Sequence, residues 1–600
     1  MLLNPRLLGL GIALTISVPV VTAQAQTVSK LTLDSFTNNK GSWSEVGSVW
    51  SDLAPNSHQL ISEGEGIILF NAPSKKKPGA DIISSEKFGD VELKLVYMMA
   101  EGSNSGLYLQ GQYEIQLLDS WLEKSPKAGS NGGVYERWDD SKPDGQKGYQ
   151  GYAPRQNVSK APGVWQILEV GFEAPKFSAS GEKIQNAKFR YIRLNGVTIH
   201  EDLELFGPTR GALAGGEVAE GPIRIQGDHG AVAIQSLEVK RLDLSSPEIK
   251  TINYSVFPGV FNELPSESSL KPANVGSVKS FDEFKTGITG SSLTKFEGTL
   301  DIKEAGNYTL DLEVPRGLGA LVIGNNSSAV ELKEGKVRVE KSLSTGTVPY
   351  TIWVSKPRDW TAQGFNLTAN AEGMWPVIMS EPALAYNNSV DPIWVKTDET
   401  PVLRSFVELP NRSKLSHAVS VSSEYGTHFT YDLESNQLIR VWRGEFLDAT
   451  PMWHSRGNGV SRPLGTTTEL SLGTPLLLTN SFEISEEELK SIGYQVLGTG
   501  DIVFNAKTSN GGEMKDHIQL MSSGKGITRT IQLSGAGSYM IKVLPGSSLK
   551  KVSKTLYLIE DTGAYLEVLT DGVTPQLGSS EEGEGVFLPL NSNLSYVILF

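Results

Sequence analysis

The stretch SGLYLQGQYEIQLLDS, residues 105–120, reads with period two between residues 107 and 117. Its odd positions carry Leu107, Leu109, Gly111, Tyr113, Ile115 and Leu117. Its even positions carry Tyr108, Gln110, Gln112, Glu114 and Gln116. Period-two alternation of this kind predicts a single half-buried strand with the odd face in a core. The even face holds amides, one ring and one carboxylate, and no Lys. Such a face can hydrogen-bond neutral hydroxyls and offer a ring for stacking, as a sugar site requires. A polar outer face of chance composition fits these residues equally well.

Outward from that stretch, the composition sets the class. A chain of 600 residues is too long for one core and implies two to four domains at roughly 150 residues each. With 62 Gly and 30 Pro breaking short apolar runs, the chain reads as all-β. The balance of 54 basic against 68 acidic residues, net −14, argues against nucleic acid or an anionic membrane surface as partner. Residues 1–25 have one Arg, an apolar run and an Ala-Gln-Ala end, the pattern of a signal peptide cleaved after Ala23 or Ala25. A periplasmic or secreted bacterial protein is expected, with no membrane span in the mature chain. Cysteine is absent, so disulfides, thiolate metal sites and Cys nucleophiles are excluded.

Residues 31–36, 67–70 and 91–98 read as strands of the same sheet system. Residues 121–162 break the pattern with Gly, aromatic and charged residues, and read as a structured rim over the polar face. Residues 165–172 return to strand. Residues 189–201 form a hairpin about Asn195-Gly196, the preferred type I′ pair. Counting from that turn sets Ile192 opposite Ile199 and Tyr191 opposite His200, which reads as a solvated surface histidine. In residues 221–230, GPIRIQGDHG, Ile223 and Ile225 face the core while Arg224, Gln226 and Asp228 share the other side. The Gly-Asp-His-Gly bend lets Asp228 and His229 reach one cleft. An Asx turn beside a surface histidine explains the tetrapeptide, and so does a pair for metal binding or proton transfer.

Taken together and in order, this strand, GGVY at 132–135, APRQN at 153–157, APGVWQ at 161–166, LNGVTIHE at 194–201, GPTRGA at 207–212 and GPIRIQGDHG resemble the secreted bacterial 3-keto-disaccharide hydrolase family. The resemblance covers residues 28–243. It implies a concanavalin-like jelly roll of two curved sheets whose concave surface is the polar even face, acting on a sugar or glycoside substrate. Residues 250–372 resemble the protective-antigen-type carbohydrate-associated module. That family's Asp-Asp-Gly stretch is replaced here by Val-Pro-Arg-Gly-Leu-Gly at 314–319, which implies a structural spacer. Residues 376–600 are β-rich, with a division into two sandwiches near 480 as one arrangement. The Ser-Ser-Pro at 245–247 reads as a linker, so a chain ending near Leu244 is expected to fold alone.

The resemblance implies chemistry at a 3-keto-glycoside. The ketone acidifies the C2 proton, a base removes it, the C1 oxygen leaves by β-elimination, and water adds back. Such a site needs a base near neutral pKa, donors or a cation for the enolate oxygen, and an acid for the leaving group. His229, Asp228 and Glu114 are the catalytic candidates, and the same three are candidate ligands for a divalent metal ion. Tyr108, Gln110, Gln112, Gln116, Arg155 and Gln226 are the candidates for binding substrate. The competing class is a non-catalytic glycan-binding envelope protein, which needs rings and amides but no general base.

Overall fold

A computed structural model describes residues 28–37, 41–54, 56–325, 331–358, 364–380, 390–410, 412, 414–454, 457–473, 477–480, 483–498, 500–509, 511–535, 539–580 and 582–600. The signal segment expected at residues 1–25 lies outside them. The described chain is built almost wholly of antiparallel strands, and it divides into two compact units. Residues 242–389 form one, and residues 28–241 together with 390–600 form the other.

Residues 28–241 fold as two packed sheets. The larger has the strand order Val197–Leu205, Ala187–Leu194, Gln166–Glu173, Val91–Met99, Val232–Arg241, Ile61–Asn71 and Trp43–Trp50, with Val28–Lys30 pairing Val232–Arg241. The smaller has the order Ile82–Phe88, Gly221–Ile225, Asn104–Leu109 and Tyr113–Leu118. One apolar cluster fills the space between them. It includes Leu107, Leu109, Tyr113, Ile115 and Leu117 from the odd face of the opening stretch and Ile223 and Ile225 from the strand beside it. The odd face is therefore core as expected, but the half-buried expectation is corrected: Tyr108, Gln110, Gln112, Glu114 and Gln116 of the even face are buried as well.

The number of strands is corrected. Residues 105–120 are a hairpin, with Leu109 opposite Tyr113 and Tyr108 opposite Glu114. Gln110 and Gly111 turn the chain with φ of 55° and 66°, in the left-handed region that favours glycine. A side chain at 111 would also meet Leu213, 2.4 Å from its added Cβ. Three residues intervene between the paired ends, so paired positions sum to an even number and even residues stay on one face through the turn. A single strand and this hairpin thus give the same face assignment. The expected strand at 31–36 is also corrected: strand occupies Val28–Lys30 and a 3-10 turn occupies Leu33–Ser35.

At the 195–196 turn, Asn195 and Gly196 adopt φ of 51° and 83°, and Leu194 pairs Val197 as counted. A bulge between Ile192 and Arg193 then shifts the register, setting Ile192 opposite His200 and Tyr191 opposite Glu201. His200 is partly buried. Its Nε2 lies 3.0 Å from the Gly132 carbonyl oxygen, and burial pushes its pKa down to about 4. It is a neutral structural histidine.

Residues 121–162 have two jobs. Residues 132–135 run along the Tyr113–Leu118 strand, with the Gly132 N–H donating to the Gln116 carbonyl and the Tyr135 N–H to the Glu114 carbonyl. Trp121, Ala161 and Val164 instead pack against Leu558, Tyr565, Val597 and Leu599. The Trp121 indole donates to the Phe600 carbonyl at 2.9 Å, and the Tyr565 hydroxyl to the Pro162 carbonyl at 2.9 Å.

In the unit of residues 242–389 one eight-stranded sheet surrounds its own apolar cluster, and residues 314–319 lie within the strand Gly306–Ile323. Residues 390–600 carry a six-stranded, a five-stranded and an eight-stranded sheet about a cluster that includes Val419, Phe429, Ile518, Leu588 and Ile598. Within it, the fully buried Arg529 and Asp516 form a two-pronged ion pair, with N···O distances of 2.9 and 2.6 Å. The Tyr596 hydroxyl accepts a further bond from Arg529.

Candidate functional site

The polar face of the smaller sheet is built as two adjacent rows. Pairing sets Arg224, Tyr108 and Glu114 side by side across three strands. The next row is Gln226, Gly106 and Gln116, in which the Gln226 N–H donates to the Gly106 carbonyl and Gly106 pairs Gln116. A Cβ at Gly106 would lie 2.2 Å from Glu114 Oε1, so the glycine provides the space into which the carboxyl folds.

Glu114 is 2 % exposed. Burial is the largest influence on its carboxyl and pushes it up to about 7, against the Tyr108 hydroxyl, the Arg224 guanidinium and the Gln116 amide, which favour ionisation. Burial and then the Glu114 charge push the Tyr108 phenol well above its usual value. A carboxyl divided between its two protonation states near pH 7 can both give and take a proton.

Arg224 is held from several sides. Its Nε and Nη2 both donate to Asp81 Oδ2, at 2.7 and 2.5 Å, and its Nη1 donates to the Gly211 carbonyl at 2.5 Å. The guanidinium carbon lies 4.4 Å from the Tyr108 ring centroid. The other Asp81 oxygen accepts the Gly227 N–H at 3.1 Å, so one carboxylate ties the Arg224 row to the bend that carries Asp228 and His229.

That bend is fixed from beneath. The buried Asn71 amide donates to the Gly227 carbonyl at 2.9 Å, and the Asn104 N–H donates to the His229 carbonyl at 3.0 Å. Gly227 packs so closely that an added Cβ would meet the Ala80 carbonyl at 2.1 Å. At the surface, His229 Nδ1 lies 2.5 Å from Asp228 Oδ1 and 3.2 Å from the Gln226 amide. Both side chains are about half exposed. With Nδ1–H directed at the carboxylate, the Nε2 lone pair is available to a substrate.

The structure therefore brings Glu114, Tyr108, Gln116, Gln226, Asp228 and His229 onto one continuous face. Three expected binding residues are corrected. The Gln110 amide donates to the Phe88 and Ala219 carbonyls at 3.2 and 2.9 Å, and the Gln112 amide to the Leu213 carbonyl at 3.0 Å, so both lock the hairpin turn. Arg155 lines a separate cleft beside Trp394. Glu114, Asp228 and His229 do not converge as a metal site, since no three His, Asp or Glu side chains come together for an ion among the described residues. Asp81 and Asn71 were missed by sequence reasoning. Asp81 lies 143 positions from the Arg it pairs with, and only Gly79 and Gly227, which pack backbone to backbone, hint at that close approach.

Residues 30–240 match the family model of the 3-keto-alpha-glucoside-1,2-lyase-like domain, about a third of the chain, which supports a carbohydrate-active function for this segment. No curated protein matches the chain. Two solved structures from Parabacteroides distasonis, both described as inferred glycosyl hydrolases, align with part of the chain. One is 20% identical over 38% of this chain and 93% of its own, with a TM-score of 0.23. The other is 17% identical over 36% and 98%, also at 0.23. A structure described as an anti-sigma factor domain-containing protein aligns at 8% identity over 58% of this chain and 92% of its own, with a TM-score of 0.17. Likeness at these scores carries no argument about activity.

Proposed function

We propose that the 28–243 domain cleaves the glycosidic bond of 3-keto-glycosides by deprotonation at C2, β-elimination and addition of water. His229, oriented by Asp228, takes the C2 proton, and the C2–H electrons pass into the C2–C3 enolate. Gln226 and Gln116 donate to the enolate oxygen and neighbouring hydroxyls. Reformation of the ketone expels the C1 oxygen, which takes the proton of Glu114, leaving a C1=C2 enone. Glu114, now ionised, takes a proton from water as the oxygen adds at C1, and His229 returns its proton to C2. Tyr108 and Arg224 hold the Glu114 carboxyl in place, and no metal-bound step is invoked.

The observation that carries this reading is the presence on one face of two proton-transfer groups of different exposure, the buried Glu114 at about 7 and the exposed Asp228–His229 pair. A lectin surface requires neither. The test is turnover of a 3-keto-glucoside in D2O, followed by release of sugar and by deuterium at C2. Cleavage of the unoxidised glucoside at the same rate, without C2 exchange, would overturn the mechanism. Binding without any turnover would favour the glycan-binding reading.

We further propose export, with the mature chain beginning at Gln24 or Gln26, and a spacer role for residues 250–372. Recovery of Met1 by N-terminal sequencing of the native protein would refute export.

A further inference from the structure

Residues 28–241 and 390–600, within their common unit, enclose a cleft of about 420 Å³ that the chemistry above does not use. Its volume lies in the range of small-ligand sites, about 300–1,000 Å³. One wall is the segment 123–126 with Arg155, Gln156 and Asn157. The other comes from residues 394–397, 423–426 and 443–446.

Two aromatic side chains stand in these walls. Trp394 is 41% exposed, with the Arg155 guanidinium 5.4 Å from its ring, and Tyr425 has Lys124 Nζ 3.9 Å from its ring. At the floor, three polar groups are at least nine-tenths buried and each has an atom without a partner: Gln156 Nε2, His428 Nδ1 and Arg443 Nε. Their hydrogen-bonding sense is set by the bonds they do make. Gln156 Oε1 accepts the Glu445 N–H at 2.7 Å, which fixes the free end of that amide as a donor. His428 Nε2 faces the Gly444 carbonyl at 2.9 Å and so carries the proton. Burial pushes this histidine down to about 4, which makes its free Nδ1 a neutral acceptor.

Gly444 is required for this arrangement. Its φ is +135°, and an added Cβ would lie 2.4 Å from Gln156 Oε1. An orphaned buried polar group costs about 1–3 kcal/mol, so a ligand group that reached any of the three on a small shift of the wall would be favoured. Donors and an acceptor in the lining of one cleft match hydroxyls, which serve in both senses. A carboxylate or phosphate would leave the His428 acceptor unpaired. The charges lining the cleft, four Lys and Arg against three Glu, nearly balance and select neither anion nor cation.

We propose that this cleft is a second saccharide site, distinct from the Glu114 face, which binds a neutral sugar unit against Trp394 and Tyr425. The experiment is calorimetric and tryptophan-fluorescence titration of the full chain with maltose, cellobiose and sucrose, using glucuronate as the charged control. The background is Glu114→Gln, which prevents turnover. At least one neutral disaccharide is expected to bind saturably, with affinity reduced tenfold or more by Trp394→Ala and by Tyr425→Ala in variants with unchanged melting. Binding unaffected by both substitutions would assign the sugar to the Glu114 face and overturn the proposal. So would preferential binding of glucuronate, or no saturable binding up to about 10 mM, where even millimolar affinity registers. Loss of C2 chemistry alone bears on the Glu114 face and leaves this site standing.

Discussion

Replacing Glu114 by Gln separates what burial does to this carboxyl from what the carboxyl does to a substrate. Lifting a carboxyl from its ordinary 4.5 to about 7 corresponds to roughly 3 kcal/mol of disfavoured ionisation. Because the folded pKa lies above the unfolded one, the folded chain holds the extra proton between these two values. This carboxyl's contribution to stability is therefore fully present below about 4.5, and that roughly 3 kcal/mol is lost as pH rises through 7. The amide has no proton to lose. Calorimetry of the full chain, following the transition of the jelly roll, is expected to show Glu114→Gln gaining roughly 2–3 kcal/mol on wild type between pH 5 and pH 8. The same variant loses a hundredfold or more in kcat and loses the limb of the pH–rate profile near 7, where wild-type activity falls as Glu114 gives up its proton. Parallel stability profiles for the two proteins would refute the buried, lifted carboxyl, and an unchanged pH–rate profile would remove Glu114 from the reaction.

His229→Ala is expected to lower kcat a hundredfold or more with little change in melting temperature, since the side chain is half exposed and packs on no core; near-wild-type turnover would exclude it as the base. Gly106→Ala forces the Glu114 carboxyl aside, costing about 1–3 kcal/mol by overpacking and most of the activity, as read by melting and turnover together. Gln112→Ala breaks a turn bond, so a stability loss of about 1 kcal/mol with unchanged KM is expected; a raised KM at wild-type stability would return Gln112 to the binding surface. A chain ending at Leu244 exposes Trp121, Ala161 and Val164, and should melt below the corresponding transition of the full chain; equal melting would show that the contacts with residues 558–599 add nothing.

The class of fold and the orientation of the opening stretch were legible in the sequence because side-chain alternation is a local property of the backbone. Leu107, Ile115 and Leu117 are buried in the sandwich as their parity required, and parity survived even the mistaken count of strands, since a three-residue turn preserves it. The Asn195-Gly196 turn was legible for the same local reason. What lay beyond the sequence was decided by groups far apart along the chain. A bulge close to a correctly placed turn changed the cross-strand partner of His200. The distant Asp81 fixed Arg224 beside Tyr108. The pKa of Glu114 depends on how completely water is excluded by three strands and a glycine, a sum over neighbours that no single stretch contains. The cleft at Trp394 exists only because Gln156 and Glu445, 289 positions apart, meet across packed sheets.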